Sequence, residues 1–299
     1  MLTLPLTLPD PARPVLIAGP TASGKSALAL QLATMQGRVV INADALQVHD
    51  SWSVLTARPP QADLAQAPHH LYGHVPKGAA YSVGHWLREV APLLARRPNA
   101  VIVGGTGLYL SALTEGLATI PPTPPEIRAR ADALLRDSGP DALLAGLDAR
   151  TAARIDRQNP ARLQRAWEVL MATGRGLADW QEDTGPPLLP LNTTTALVLM
   201  PAREWLNTRI TARFAAMLQG GALEEARAAL PHWPADAGTP SAPLWTRAIG
   251  AAELIAHLRG QISLERAEAD ATLATRQYAK RQRSWFRSRM KAWQRLDLP

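Results

Sequence analysis

The chain has 299 residues, of which 46% are hydrophobic, 19% charged and none cysteine, with a formal net charge of +7. That length buries a full core and suits about two domains or one large α/β domain, and the charge level argues against a disordered chain. The positive balance favours a partner that is anionic somewhere; the lack of cysteine excludes disulfides, thiol nucleophiles and Cys-held zinc, and makes a reducing cytoplasm the expected compartment.

The start, MLTLPLTLPDPARP, lacks a basic leading segment and is broken by Pro5, Pro9, Pro11 and Pro14, so no signal peptide is expected. No apolar run approaches the roughly 20 residues of a membrane-spanning helix, so no membrane association is expected. The first strand is predicted at Val15–Ala18, followed by a Gly/Pro turn and an amphipathic helix over Lys25–Gln36. A second strand, 38–43, ends in Asp44; a third, 100–103, ends in GGTG; a fourth, 196–200, ends in Pro201. Apolar strands separated by helical patterns predict a parallel sheet covered by helices on both faces, an α/β fold. Between the third and fourth strands, Pro121, Pro122, Pro124 and Pro125 punctuate the entry and Gly185, Pro186, Pro187 and Pro190 the exit. Residues 121–187 therefore read as a helical insertion, with 1–120 and 188–299 forming the core. Inside it, Thr123 and Glu126 are spaced as a capping box with Pro124 at the first helical position, and a helix over 162–173 is closed by Gly174. Further helices are predicted over 204–230 and from 263 to the end, separated by the loop PHWPADAGTPSAP, 231–243.

The turn after the first strand carries the chemistry. Gly19, Pro20, Thr21, Ala22, Ser23, Gly24, Lys25 and Ser26 spell GPTASGKS, a full GxxxxGKS phosphate loop between a strand and a helix. Its glycines let backbone N–H groups turn toward an anion, the helix N-terminus adds positive charge, Lys25 neutralises terminal phosphate oxygens, and Ser26 would bind Mg²⁺. This cradle alone specifies a pyrophosphate or longer and does not by itself say nucleotide. In an ordinary P-loop NTPase a strand-end Asp also holds the metal. Only Asp44 fits here, which leaves one carboxylate for metal holding or for accepting a proton from a substrate amine within reach.

Residues 276–299 hold eight of the 32 basic side chains and one of the 25 acids, so the rest of the chain is formally neutral. Arg276, Lys280, Arg283, Arg287 and Lys291 step by four, three, four and four, the spacing of one helical face, which either tracks phosphates or is solvated surface. Phe286, Met290 and Trp293 have the spacing of a seam that docks this helix. His69 and His70 are adjacent, share no face, and read as polar loop or core packing. Three alternative activities fit a phosphate loop: a small-molecule kinase, an RNA-stimulated NTPase, and a prenyltransferase acting on free adenine nucleotides.

GPTASGKS, INADALQV (41–48), HHLYGHVP (69–76), YSVGHW (81–86) and VGGTGLYLSAL (103–113) resemble, in order, the tRNA dimethylallyltransferases, or tRNA isopentenyltransferases. The resemblance continues through RLQRAWEV (162–169), TGRGLADW (173–180), RFAAMLQGGALEEA (213–226) and TRQYAKRQRSWF (275–286), nearly the whole chain beyond about residue 14. It implies a P-loop NTPase-like sheet with an inserted helical domain that grips tRNA. It also implies transfer of the dimethylallyl group from dimethylallyl diphosphate to N6 of adenine 37, beside the tRNA anticodon, with release of diphosphate. By that similarity Asp44 is the base on the adenine amine, Thr106 lies near the transferred group and the diphosphate, and Arg213 and Arg128 lie near phosphate or the tRNA. Asp44, Ala45, Leu46 and Gln47 would face the adenine, since a Gln side chain can pair bidentately with an adenine edge. Arg162 and Arg165 of the insert, Arg247, and Arg276, Gln277, Lys280, Arg281 and Arg283 of the tail would contact RNA. Mg²⁺ is the implied cofactor; no protein partner is implied, and a monomer is expected. The sequence departs from the family pattern at Ala45, usually Ser; at VLTARP (54–59), with Leu55 for Gly and Arg58 for Lys; and at GAAE (250–253), where a GYKE-like segment is usual.

Overall fold

The computed structural model describes residues 8–239 and 242–298. The first seven residues of the proline-broken start, for which no signal peptide is expected, lie outside them, as do residues 240 and 241 of the 231–243 loop. Among the described residues, six strands form one sheet: β1 (Val15–Ala18), β2 (Val40–Asn42), β3 (His69–His70), β4 (Val101–Gly104), β5 (Thr195–Leu199) and β6 (Gln294–Leu296). Their order is β3-β2-β4-β1-β5-β6 and every pairing is parallel. The unbroken apolar runs of β1 and β4 fit strands buried on both faces. Leu16, Ile41, Ile102 and Val198 enter one core cluster; Val15, Ile17, Val40, Val101, Val103 and Leu197 enter the other, as the period of two requires.

On one face lies α1 (Lys25–Gln36), whose Leu28, Ala29, Leu32 and Ala33 are buried. A single turn, α2 (Gln61–Leu64), follows, and α3 (Val83–Arg96) covers the other face. The Trp86 indole of α3 is fully buried, donates to the Asn42 carbonyl at 2.7 Å and stacks on Tyr109 of α4 (Gly107–Glu115) at 4.7 Å.

Two compact units are present, one running to Thr114 and resuming at Leu189, the other Glu115–Leu188. The second holds α5 (Pro125–Ala145), α6 (Ala149–Arg154), α7 (Pro160–Thr173) and α8 (Leu177–Glu182) around Ala131, Leu143, Leu163 and Trp167. Its α7 ends at Gly174, as predicted, but the Thr123–Glu126 capping box does not form. Pro124, with no side-chain acceptor, occupies the cap position, and the Thr123 hydroxyl accepts from Arg165 Nη1 instead.

The first unit resumes with α9 (Arg203–Gln219), α10 (Ala222–Ala229), α11 (Ala251–Leu258) and α12 (Leu264–Arg289). The single helix predicted over 204–230 is thus two, broken at Gly220 and Gly221, where φ of 101° at Gly221 lies outside helical geometry. The final helix also stops early, at Arg289. Met290 and Trp293 still dock as the predicted seam, 3% and 7% exposed, and the chain then pairs as β6 with β5. Lys291 therefore falls beyond the helical stripe. The adjacent histidines form the edge strand β3, a pairing no local periodicity announces. No helix among the described residues is long and apolar enough to cross a membrane.

Candidate active site

Loops at the carboxyl ends of β1, β2 and β4 converge where crossovers diverge in a parallel sheet, the usual place for a ligand. After β1, residues 19–26 curl into α1, whose first turn carries no side-chain cap and no acid, leaving N–H groups for an anion. Lys25 Nζ lies 3.4 Å from the Pro20 carbonyl. Burial, reinforced by Arg213, pushes its ammonium down to about 8, while Asp44 pulls the other way. Arg213, from α9, is likewise lowered, first by burial and then by Arg209, again opposed by Asp44. Three cations thus share one carboxylate, an imbalance that an arriving polyanion corrects.

A cavity of about 190 Å³ is lined by Ala22, Gly24, Lys25, Ser26, Ala27, Arg209 and Arg213. Arg209 Nε donates to the Ala22 carbonyl at 3.0 Å, and its guanidinium stacks 4.6 Å over the Trp205 ring, which fixes it beside the cradle. A narrower cleft of about 80 Å³ shares Lys25, Ser26 and Arg213 with this cavity, so these residues form the partition. Its polar wall includes Thr21, Asp44 and Gln47; its apolar wall includes Leu46, Leu55, Ile210, Phe214 and Met217. One side therefore suits a polyanion and the other a short hydrocarbon facing a carboxylate.

Asp44 is held from three directions. Asn42 Oδ1 accepts from Asp44 N at 2.9 Å and Asn42 Nδ2 donates to the Asp44 carbonyl at 3.0 Å. Asp44 Oδ1 accepts from Leu46 N at 3.0 Å. Thr106 Oγ1 accepts from Ala45 N at 2.9 Å, while Thr106 N donates to the Ala43 carbonyl at 3.3 Å. The GGTG glycines are required by close approach: a Cβ at Gly104 would lie 2.0 Å from the Ala43 oxygen. One at Gly105 would lie 2.3 Å from Gln282 Nε2 and 3.1 Å from Asp44 Oδ2.

Two expectations change. Gln47 lines the cleft, but its amide donates to the Thr56 and Ala57 carbonyls at 2.9 and 2.8 Å, so it cannot pair bidentately with an adenine edge. It braces the loop carrying Leu55. Arg283 is half-buried and donates to the Pro201 carbonyl after β5; burial, then Arg287 and Arg295, holds its guanidinium below the ordinary value. It anchors α12 rather than standing out as a phosphate contact.

Of the remaining tail residues, Gln277, Lys280 and Arg281 line a shallow groove of about 560 Å³ with Ser284, Trp285 and Ser288. Arg276 is exposed and donates to Thr211 Oγ1 at 2.9 Å; Arg247 is exposed in the turn Leu244–Arg247. In the helical unit, Arg128 and Arg165 each lie 3.7 Å from the buried Glu168 carboxylate, and Arg162 lies 3.9 Å from Asp156. At the departures, Leu55 joins the cleft wall, Ala251 is fully buried in the cluster behind it, and the Arg58 guanidinium covers Gly73. Sequence reasoning missed Gln282, 6% exposed, whose Oε1 accepts from Thr21 N at 2.8 Å and whose Nε2 donates to the Gly105 carbonyl at 2.9 Å. The available signal was a polar residue on the apolar seam between Ala279 and Phe286.

A parallel sheet, a GxxxxGKS cradle and a carboxylate lining the cleft beside it define a P-loop NTPase-like protein with a cradle suited to a polyanion. The family model for IPP transferase matches residues 47–289, and that for isopentenyl transferase residues 13–72. The tRNA dimethylallyltransferase of Cereibacter sphaeroides strain KD131 is 64% identical over 96% of this chain and 90% of its own. That of Paracoccus denitrificans strain Pd 1222 is 59% identical over 97% and 96%. Among solved structures, the full-length tRNA isopentenylpyrophosphate transferase from Bacillus halodurans aligns with a TM-score of 0.64 and 27% identity over 96% of this chain and 90% of that one. A eukaryotic dimethylallyltransferase acting on tRNA aligns with a TM-score of 0.80 and 26% identity, over 95% and 73%. The chain belongs to the IPP transferase family, that of the tRNA dimethylallyltransferases.

Proposed function

We propose that this enzyme transfers the dimethylallyl group of dimethylallyl diphosphate to N6 of adenine 37 in tRNA, as a monomer in the cytoplasm. The observation that carries the reading is the pair of cavities sharing Lys25, Ser26 and Arg213, with Asp44 lining the apolar one. The diphosphate lies in the cradle formed by Gly19, Pro20, Thr21, Ala22, Ser23, Gly24, Lys25 and Ser26, and the hydrocarbon lies against Leu55 and Phe214. The N6–C bond forms as the C–O bond to diphosphate breaks, and the proton leaving N6 goes to the Asp44 carboxylate. Negative charge builds on the departing oxygen, so backbone N–H groups, Lys25 and Arg213 stabilise the transition state more than the ground state. Thr106 acts through the Ala45 N–H, keeping the Asp44 loop in place. Ser26 lines both cavities and Asp44 is the one carboxylate among their lining residues, a donor set that suits a cation taking most of its oxygens from phosphate and water. Ser26 would hold Mg²⁺ there with the donor's own oxygens, and the ion would supply positive charge to the leaving group.

The target base must leave its stack, which costs about a few kcal/mol. Phosphate contacts from the α12 groove, through Lys280 and Arg281 with Gln277 and Arg276, offset that cost, and the helical unit grips the anticodon stem-loop through Arg128, Arg162 and Arg165. Ala45 and Leu46 meet the flipped base beside Asp44, and Arg247 adds a contact from its turn. Incubation with labelled dimethylallyl diphosphate, Mg²⁺ and either tRNA or AMP tests the reading. Label is expected in tRNA at adenine 37; label in AMP alone, or phosphoryl transfer from ATP, would reject it.

A further inference from the structure

The helix that carries the basic groove also reaches the floor of the cradle. Gln282 stands about 200° around α12 from Lys280 and from Ser284, so one helix presents groove residues on one side and a buried amide on the other. Both ends of that amide are committed, to loops that hold opposite halves of the chemistry. Its oxygen takes the Thr21 N–H, inside the phosphate cradle, and its nitrogen gives a hydrogen bond to Gly105, whose α-carbon sits against the Asp44 carboxylate. A planar amide fixes the separation of the two groups it bridges, so the spacing between cradle and carboxylate depends on where α12 lies. Phe286 in the core and Arg283 on the Pro201 carbonyl flank Gln282, so the helix and the amide move as one body.

Resting on the functional reading above, we propose that Gln282 is a positioning residue that couples RNA docking on α12 to the diphosphate cradle. Docking seats the helix, the amide fixes where the Thr21 backbone stands in the cradle and so the set of the neighbouring N–H groups, and donor binding tightens. By linkage the diphosphate must tighten RNA binding by the same factor.

The test measures the affinity of the protein for inorganic pyrophosphate with Mg²⁺, alone and with a saturating anticodon stem-loop, in wild type, Gln282→Met and Gln282→Glu. The methionine keeps the volume and loses both hydrogen bonds; the glutamate keeps an acceptor for Thr21 N–H and loses the donor to Gly105. Wild type is expected to bind pyrophosphate at least about fivefold tighter with the stem-loop, within the usual range of allosteric couplings. In Gln282→Met that factor should fall below about twofold, while stem-loop affinity without pyrophosphate stays within about twofold of wild type. A merely structural role would alter the folded fraction but not this ratio. Should Gln282→Met fail to fold, Gln282→Glu carries the same expectation, because the bridge needs both bonds. A full coupling factor in either folded variant, or none in wild type that still transfers the prenyl group, overturns the inference and leaves the functional reading standing. A wild type that neither binds pyrophosphate nor prenylates tRNA overturns the functional reading, and this inference with it.

Discussion

Lys25 offers a direct test of the cradle, because its surroundings oppose its charge until an anion arrives. Its ammonium is pushed from an ordinary 10.5 down to about 8, which corresponds to on the order of 3 kcal/mol against the charged form. A bound diphosphate places negative charge beside it and reverses the balance. At pH 9 about nine in ten molecules hold Lys25 neutral, so binding pyrophosphate should take up close to one proton per site, and affinity should fall about fivefold from pH 8 to 9. At pH 6.5 the side chain is already charged, and this uptake should vanish. Titration calorimetry in two buffers of different ionisation enthalpy reads the uptake, with Lys25→Arg, which stays charged, as the control for protonation of the ligand. Wild type matching Lys25→Arg in proton uptake at pH 9 would refute the reasoning. Stability follows the same sign. The folded-state value lies below the unfolded one, so the group's favourable contribution is present above 10.5 and is lost as pH falls through 8. Lys25→Met should therefore raise the unfolding midpoint at pH 7 and change it little near pH 10.5.

Asp44→Asn preserves the acceptor for Leu46 N–H, so it should cut prenyl transfer by about 10²–10⁴ while RNA affinity stays within about twofold; near-normal turnover rejects the base assignment. Gly105→Ala places a methyl 2.3 Å from Gln282 Nε2 and should cost about 1–3 kcal/mol in chemical denaturation as well as activity. Lys280→Ala with Arg287→Ala, both exposed on α12, should lower the slope of log affinity for tRNA against log salt by about 0.7–0.9 per lost phosphate contact, and an unchanged slope would mark them as solvated surface. Arg283→Ala should instead lower the unfolding midpoint, since it removes the bond to the Pro201 carbonyl.

The parts of the site that were legible in the sequence are those whose cause is local. The cradle is written in eight consecutive residues, and the strand before it is an unbroken apolar run, so the fold's centre follows from the chain alone. GGTG is legible as a turn, but its reason is not. Gly104 is fixed by the Ala43 backbone and Gly105 by a side chain 177 residues away. The partners of the Gln47 amide are not legible, because nothing nearby in sequence shows that the Thr56 and Ala57 carbonyls turn back to meet it. The edge strands β3 and β6, two and three residues long, exist because a paired neighbour offers them a ladder, which no single-strand pattern encodes.

The basic stripe shares one face by its spacing, but spacing alone does not say how deep each residue on that face lies. On a helix turning about 100° per residue, Arg276, Lys280, Arg283 and Arg287 stand about 80°, 120°, 60° and 100° from Phe286, the residue buried in the core. All four share a face, yet Arg283 is nearest the seam and Lys280 farthest from it. The sheet side therefore captures Arg283 as an anchor, while Lys280 reaches the outer groove. The same arithmetic puts Gln282 about 40° from Phe286, inside the seam, where a side chain with a donor and an acceptor must find partners or lose stability. Angular distance from the most buried residue, rather than step length alone, is what separates groove contact, anchor and bridge along α12.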